Sequence, residues 1–192
     1  MPAMYNTLGG GEGMEIRAKC RYDYASIMAL THTSVYKKSN PKKTVRIRSV
    51  VCLVLLLLFV AELKLGAFDG TFVPAIFITA DILVVVIDLF MYFALPRIQY
   101  KSMAKLKDTE NEYIFGENAV KVTSKGEVYN GEAEIKYSLF VKIYETSKYL
   151  FMFQTKDQAF AVDKSTIEGG SVEEIRNKLS SYADGKYYIC KY

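Results

Sequence analysis

The sequence predicts an α+β membrane protein: a two-helix transmembrane hairpin plus a cytoplasmic antiparallel β-sheet domain closed by a C-terminal helix. Three observations predict it. Two long apolar stretches lie close together between Val50 and Leu95. Lys and Arg gather outside both stretches and are nearly missing from the segment joining them. Residues 109–192 read as short alternating runs separated by turn residues, followed by one helical stripe.

Composition divides the chain the same way. Of 25 Lys/Arg and 21 Asp/Glu in 192 residues, residues 1–49 hold 9 and 3, residues 50–108 hold 5 and 5, and residues 109–192 hold 11 and 13. With 51% apolar and 14% aromatic side chains and three cysteines, the chain is no disordered polymer, disulfide scaffold or uniformly basic nucleic-acid binder.

Residues 1–13 contain GGGEG without periodicity and read as a disordered tail. The glycines follow no strand and open no helix, so they are not read as a phosphate-binding loop. Residues 14–45 read as a cytoplasmic strand and helix. Met14, Ile16, Ala18, Cys20 and Tyr22 alternate with charged residues, a period of two with one wet face. Asp23 suits an N-cap, Tyr24, Ile27, Met28, Thr31 and Val35 keep helical spacing up to about Tyr36, and Asn40-Pro41 is expected to end the helix. One histidine, His32, cannot form a metal cluster or a Ser–His–Asp site alone and is read as incidental. The strand needs a partner, and the C-terminal sheet is the candidate.

Residues 46–96 form the expected hairpin, with spans at about 48–67 and 72–95. Val50 to Ala61 is an unbroken apolar run of twelve, and Phe72 to Leu95 has 24 residues with Asp81 and Asp88 as its charges. Twelve apolar residues alone would also fit a core helix of a soluble protein. A turn is expected over Gly66 to Thr71. Basic residues before the first span and after the second place both termini in the cytoplasm. The 49 residues before the first span argue against a cleaved signal peptide. Lys42, Lys43, Arg46, Arg48, Arg97 and Lys101 are candidates for contact with anionic lipid, at about 1 kcal/mol each near the surface, or are topology signals alone.

Asp81 and Asp88 are seven residues apart, within about twenty degrees of one helix face, and Tyr92 continues that stripe. A hairpin turning near residue 69 brings Asp88 level with Val50 and within reach of Arg48 as an ion-pair partner. Two readings stay open: a proton or cation relay, or polar contact between hairpins in a homo-oligomer.

Residues 97–108 read as a basic linker, and 109–192 as the sheet domain. Strands are expected at Tyr113–Phe115, Val141–Glu145, Tyr149–Gln154 and Ala159–Asp163, with Val120 and Val122 alternating between them. The intervening hairpin turns at Asn130-Gly131 or at Lys125-Gly126. Ser171 and Glu174 form a capping box, after which Val172, Ile175, Leu179 and Tyr182 make one apolar stripe. Tyr187, Tyr188 and Tyr192 fit either an added strand or an interfacial anchor.

Several segments together carry a family resemblance. They are Ile135-Lys136-Tyr137-Ser138 leading into Val141-Lys142-Ile143-Tyr144-Glu145-Thr146, then Ala159-Phe160-Ala161-Val162-Asp163-Lys164, then Gly170-Ser171-Val172-Glu173-Glu174. With the early strand, Asp23-Tyr24 and the hairpin, the chain resembles the YcxB-like family of small bacterial membrane proteins over roughly residues 14–182. The resemblance implies a bacterial cell membrane location and a pleckstrin-homology-like (PH-like) C-terminal domain, a bent antiparallel sheet closed by a helix. It implies no catalytic or binding residues. A phosphoinositide pocket would need a basic first loop, and Gly116-Glu117-Asn118 supplies none.

No nucleophile, base, metal set or cofactor motif is read from the sequence, so no enzyme is expected. The leading expectation is a membrane-anchored interaction module that binds a protein partner at the inner membrane surface, without nucleic acid. The alternative is a small oligomeric transporter or channel subunit using Asp81 and Asp88.

Overall fold

The computed structural model describes residues 15–37, 39–64, 72–103, 106–128, 130–156, 158–182, 185–190 and 192. The expected tail over residues 1–13 and the expected turn over 66–71 lie outside the described residues.

Two four-stranded sheets enclose one apolar core. The first runs β1 (Ile16–Arg21), β2 (Glu110–Phe115), β3 (Ala119–Lys125) and β4 (Asn130–Lys136), all antiparallel and in that order. Strand β1 pairs with β2 from Ile16 opposite Phe115 to Arg21 opposite Glu110. The sheet is therefore closed by a strand from the other side of the apolar helices in sequence. The physical reason is the alternation: Ile16, Ala18 and Cys20 are buried while Arg17, Lys19 and Arg21 remain exposed. The second sheet has the order β7 (Ala159–Asp163), β6 (Tyr149–Phe153), β5 (Lys142–Glu145), β8 (Tyr187–Ile189), with β8 parallel to β5. The tyrosine-rich C-terminal segment is thus an added strand.

Strand β1 also joins the two sheets. Arg17 and Glu168 exchange backbone hydrogen bonds at 2.9 and 2.8 Å, and the Thr166 hydroxyl bridges the Lys19 N–H and C=O, each at 2.8 Å. Tyr113, Phe115, Tyr137, Phe140, Ile143 and Phe151 fill the space between the sheets. Helix α5 (Val172–Tyr182) covers the core with Ile175 and Leu179. Its start is the expected capping box: Ser171 Oγ accepts from Glu174 N at 3.2 Å, and Glu174 Oε2 accepts from Ser171 N at 3.1 Å. The hairpin between β3 and β4 turns beyond Lys125, with Asn130 already paired opposite Lys125. Asn130 spends its side chain on the turn, accepting from Gly126 N at 3.2 Å.

Helix α1 (Tyr24–Tyr36) is capped by Asp23, whose Oδ1 accepts from Ser26 N at 2.8 Å. It ends at Tyr36, where the helical spacing stops. Asn40-Pro41 instead opens α2 (Pro41–Lys64): Asn40 Oδ1 accepts from Lys43 N at 3.1 Å, and proline fits the first turn because its missing N–H would have no partner there. Helix α2 therefore begins before the expected span and carries the basic residues 42–48 as its first turns. The second apolar helix is α3 (Phe72–Leu89), continued by a π-helical turn (Phe90–Ala94) and α4 (Leu95–Ser102). Much of the expected linker over 97–108 is thus helix. Pro96 lies in the first turn of α4, just after the π turn, and the chain leaves the helix only at Met103.

Candidate functional site

The structure gathers the notable polar side chains where the sheet module meets the ends of the apolar helices. Pro96 has no N–H for the carbonyl four residues earlier, so an uninterrupted helix would leave the Tyr92 C=O without a donor. The π turn spans that position, and His32 Nε2 donates to the Tyr92 oxygen at 3.0 Å. A carbonyl only accepts, so Nε2 carries the hydrogen. The His32 and Tyr92 rings stack with centroids 4.5 Å apart, and Tyr36 stands edge-on to His32 at 6.0 Å. His32 is thus buried and fixes α1 against the second apolar helix. Tyr24 against Tyr100 at 5.8 Å and a Thr31–Gln99 side-chain hydrogen bond continue the same seam along α4.

One helical turn below Tyr92 lies Asp88, 6% exposed. Arg48 Nη1 donates to its Oδ1 at 2.8 Å, while Asp88 Oδ2 and the nearby Tyr36 hydroxyl are buried without a hydrogen-bond partner. Asp81 is not brought to this cluster. It lines a groove of about 260 Å³ between α2 and α3, shared with Ser49, Cys52 and Leu56. The shared stripe therefore divides into a paired aspartate at the helix ends and a second one among apolar side chains. Lys42, Lys43, Arg46, Arg97 and Lys101 are all exposed, as is the side chain of Arg48.

A cavity of about 330 Å³ opens beside the cluster. Its walls come from α1 (Met28, His32, Thr33), the start of α2 (Asn40, Lys42) and Tyr92. The turn from Thr146 to Tyr149 and the ring of Tyr192 complete it. Tyr192 is held there by backbone and side chain: Ser147 N donates to Tyr192 O at 3.0 Å, and the Tyr192 hydroxyl donates to the Lys37 carbonyl.

A second polar cluster lies inside the module. Glu145 is 3% exposed and accepts from Arg176 Nε and Nη2, each at 2.8 Å, from Lys164 Nζ at 2.9 Å and from the Tyr187 hydroxyl at 2.6 Å. Burial alone would raise its pKa, but the hydrogen bonds from Arg176, Tyr187 and Lys164 outweigh burial and hold it down at about 2. The carboxylate ties β5, β8 and α5 together and presents no face for a substrate. Burial pushes the Cys20 thiol up to about 12, which makes it an inert core side chain. Among the described residues no group of His, Cys, Asp and Glu could hold a metal ion.

Sequence reasoning missed His32 and Glu145. Pro96 was a signal for the first, since it frees the carbonyl at residue 92. Glu145 had no local signal, because its partners lie 19, 31 and 42 residues away.

The model of the YcxB-like protein family matches residues 115–179, from the last residue of β2 into α5. No curated protein and no solved structure matches the chain.

Proposed function

We propose that the protein is anchored by two membrane spans and presents a PH-like module on the cytoplasmic side, where the module binds a protein partner. The observation that carries the anchoring is apolar surface left uncovered. In the most apolar window of the first long helix 0% of residues are buried, and in that of the second 6%. Leu53, Leu57, Leu58, Phe77 and Leu83 are each more than half exposed. A core helix would have lost that surface to its neighbours. Monomeric soluble proteins seldom expose contiguous apolar patches larger than about 300–600 Å², and lipid tails are the natural cover.

The pairing of β1 with β2 supports an even number of crossings, because residues 21 and 110 must emerge on the same side to form one sheet. Basic residues before α2 and along α4 favour the cytoplasm as that side. Four antiparallel strands, then three more, then a covering helix is the order expected of a PH-like module, with the apolar hairpin inserted after its first strand. For a partner, β4 offers its outer edge, paired on one side with β3 among the described residues. An extended segment adds to such an edge through its backbone. Because Asp88 is engaged by Arg48 and the groove around Asp81 is open, anchoring is preferred to a relay.

Two measurements test this. Alkaline carbonate should leave the chain in the membrane pellet, and protease added to intact cells should spare tags on both termini. Release into the supernatant, or digestion of either tag, removes the reading. For the partner, a photo-crosslinking residue at Glu134 on β4 should capture one protein in cells, and a probe at Lys186, just before β8, should not. The same capture at both positions would reject the β4 edge.

A further inference from the structure

We infer that the cavity between the sheet module and the start of α2 binds the phosphate-bearing head of an anionic phospholipid; this rests on the membrane-anchored reading and deepens it. The position comes first. The cavity borders Asn40 and Lys42, before the apolar run that starts at Val50, so in an inserted chain it stands at headgroup level. Its volume of about 330 Å³ is at the lower end of the range of about 300–1,000 Å³ for small-ligand sites.

The chemistry of the walls selects the ligand. Lys42 and Lys148 are the charged side chains lining the cavity, and none of its lining side chains is acidic. Lys148 Nζ lies 3.5 Å from Asp163 Oδ2 and 4.9 Å from the centroid of the Tyr149 ring. The electropositive end of the 24-residue helix α2 faces the same space. Thr33 is 0% exposed beneath Tyr192 and forms the floor of the cavity. His32 adds no donor, since its Nε2 serves Tyr92, and the Ser147 N–H is taken by Tyr192. Met28, Ala29, Tyr92 and Tyr149 leave the remaining wall largely apolar, which suits the glycerol and first methylenes of a lipid better than a free ion.

The test is native mass spectrometry of the full chain purified in detergent, offered dioleoylphosphatidylglycerol or dioleoylphosphatidylcholine at equal concentration. Phosphatidylglycerol should be retained in preference. Lys42→Ala and Lys148→Ala should each weaken its retention about fivefold, while Lys43→Ala and Lys101→Ala, outside the cavity, should leave it unchanged. Equal losses from all four lysine variants would mean diffuse surface attraction and overturn the site. So would equal retention of the two lipids. Glycerol 3-phosphate competing at the same concentration as the lipid would assign the cavity to a soluble phosphate ester and overturn the lipid. Carbonate release of the unsubstituted chain would sink the anchored reading and this proposal together. Lost selectivity in a carbonate-resistant chain sinks this proposal alone.

Discussion

At the residue scale, two side chains that look ordinary in the sequence hold the structure at its joints. Glu145 receives four hydrogen bonds from Arg176, Lys164 and Tyr187, and its replacement strands two cations at the edge of the core. Glu145→Ala should cost about 3 kcal/mol, the lower end for a broken buried pair because Arg176 and Lys164 retain some water. Its folded pKa of about 2 lies below the ordinary value of 4.5, so its contribution is complete above pH 4.5 and is lost as pH falls toward 2. Urea midpoints of wild type and Glu145→Gln should therefore differ most near neutrality, draw closer by pH 3 and converge only toward pH 2; a constant gap would reject the charged network. Arg48 and Asp88 call for a double substitution. Arg48→Leu alone leaves a buried carboxylate uncompensated, so it should lower the melting temperature in detergent more than Arg48→Leu with Asp88→Leu. Additive losses would mean that the two do not interact.

At the element scale, β1 is the strand with the most depending on it. It pairs with β2, bridges to Glu168 and takes the Thr166 hydroxyl, so it closes one sheet and fastens it to the other. Removing residues 1–22 should abolish the cooperative thermal transition of the module, followed by circular dichroism; an unchanged transition would show that the pairing contributes little. Two caps give smaller effects. Asn40→Ala and Ser171→Ala should each lower stability by about 1 kcal/mol in denaturant titrations, since each removes the acceptor of a first-turn N–H. The Asn40 loss would also loosen the start of α2, which borders the cavity.

At the scale of the whole molecule, the folded unit is interrupted. Chain from Tyr22 to Thr109 leaves the sheet after its first strand, builds the apolar hairpin and returns to the second. On the return, α1 packs against the π turn through His32 and along α4 through Thr31 and Tyr24. A shift in the hairpin would therefore reach the module through this seam. His32→Ala should free the Tyr92 carbonyl and raise amide hydrogen exchange across Phe90–Ala94, with less change in β2–β4. Equal exchange in both regions of wild type and variant would remove the seam as a coupling element.

Local pattern determined much of this protein. Alternation at 16–22 and 110–163, the helical stripe at 172–182, the capping box and the two apolar helices are short-range properties, and each is visible in neighbouring residues. The reach of Arg48 to Asp88 was also legible, because a hairpin of two helices converts sequence distance into depth. Tertiary structure alone decided the parallel addition of β8 to β5, the gathering of Glu145 with Arg176, Lys164 and Tyr187, and the cavity where Thr33, Lys42, Lys148 and Tyr192 meet. These unite residues up to 159 positions apart, from Thr33 to Tyr192. Periodicity reports which face of an element is dry. It carries no information about which distant element covers that face, and that choice is made by packing.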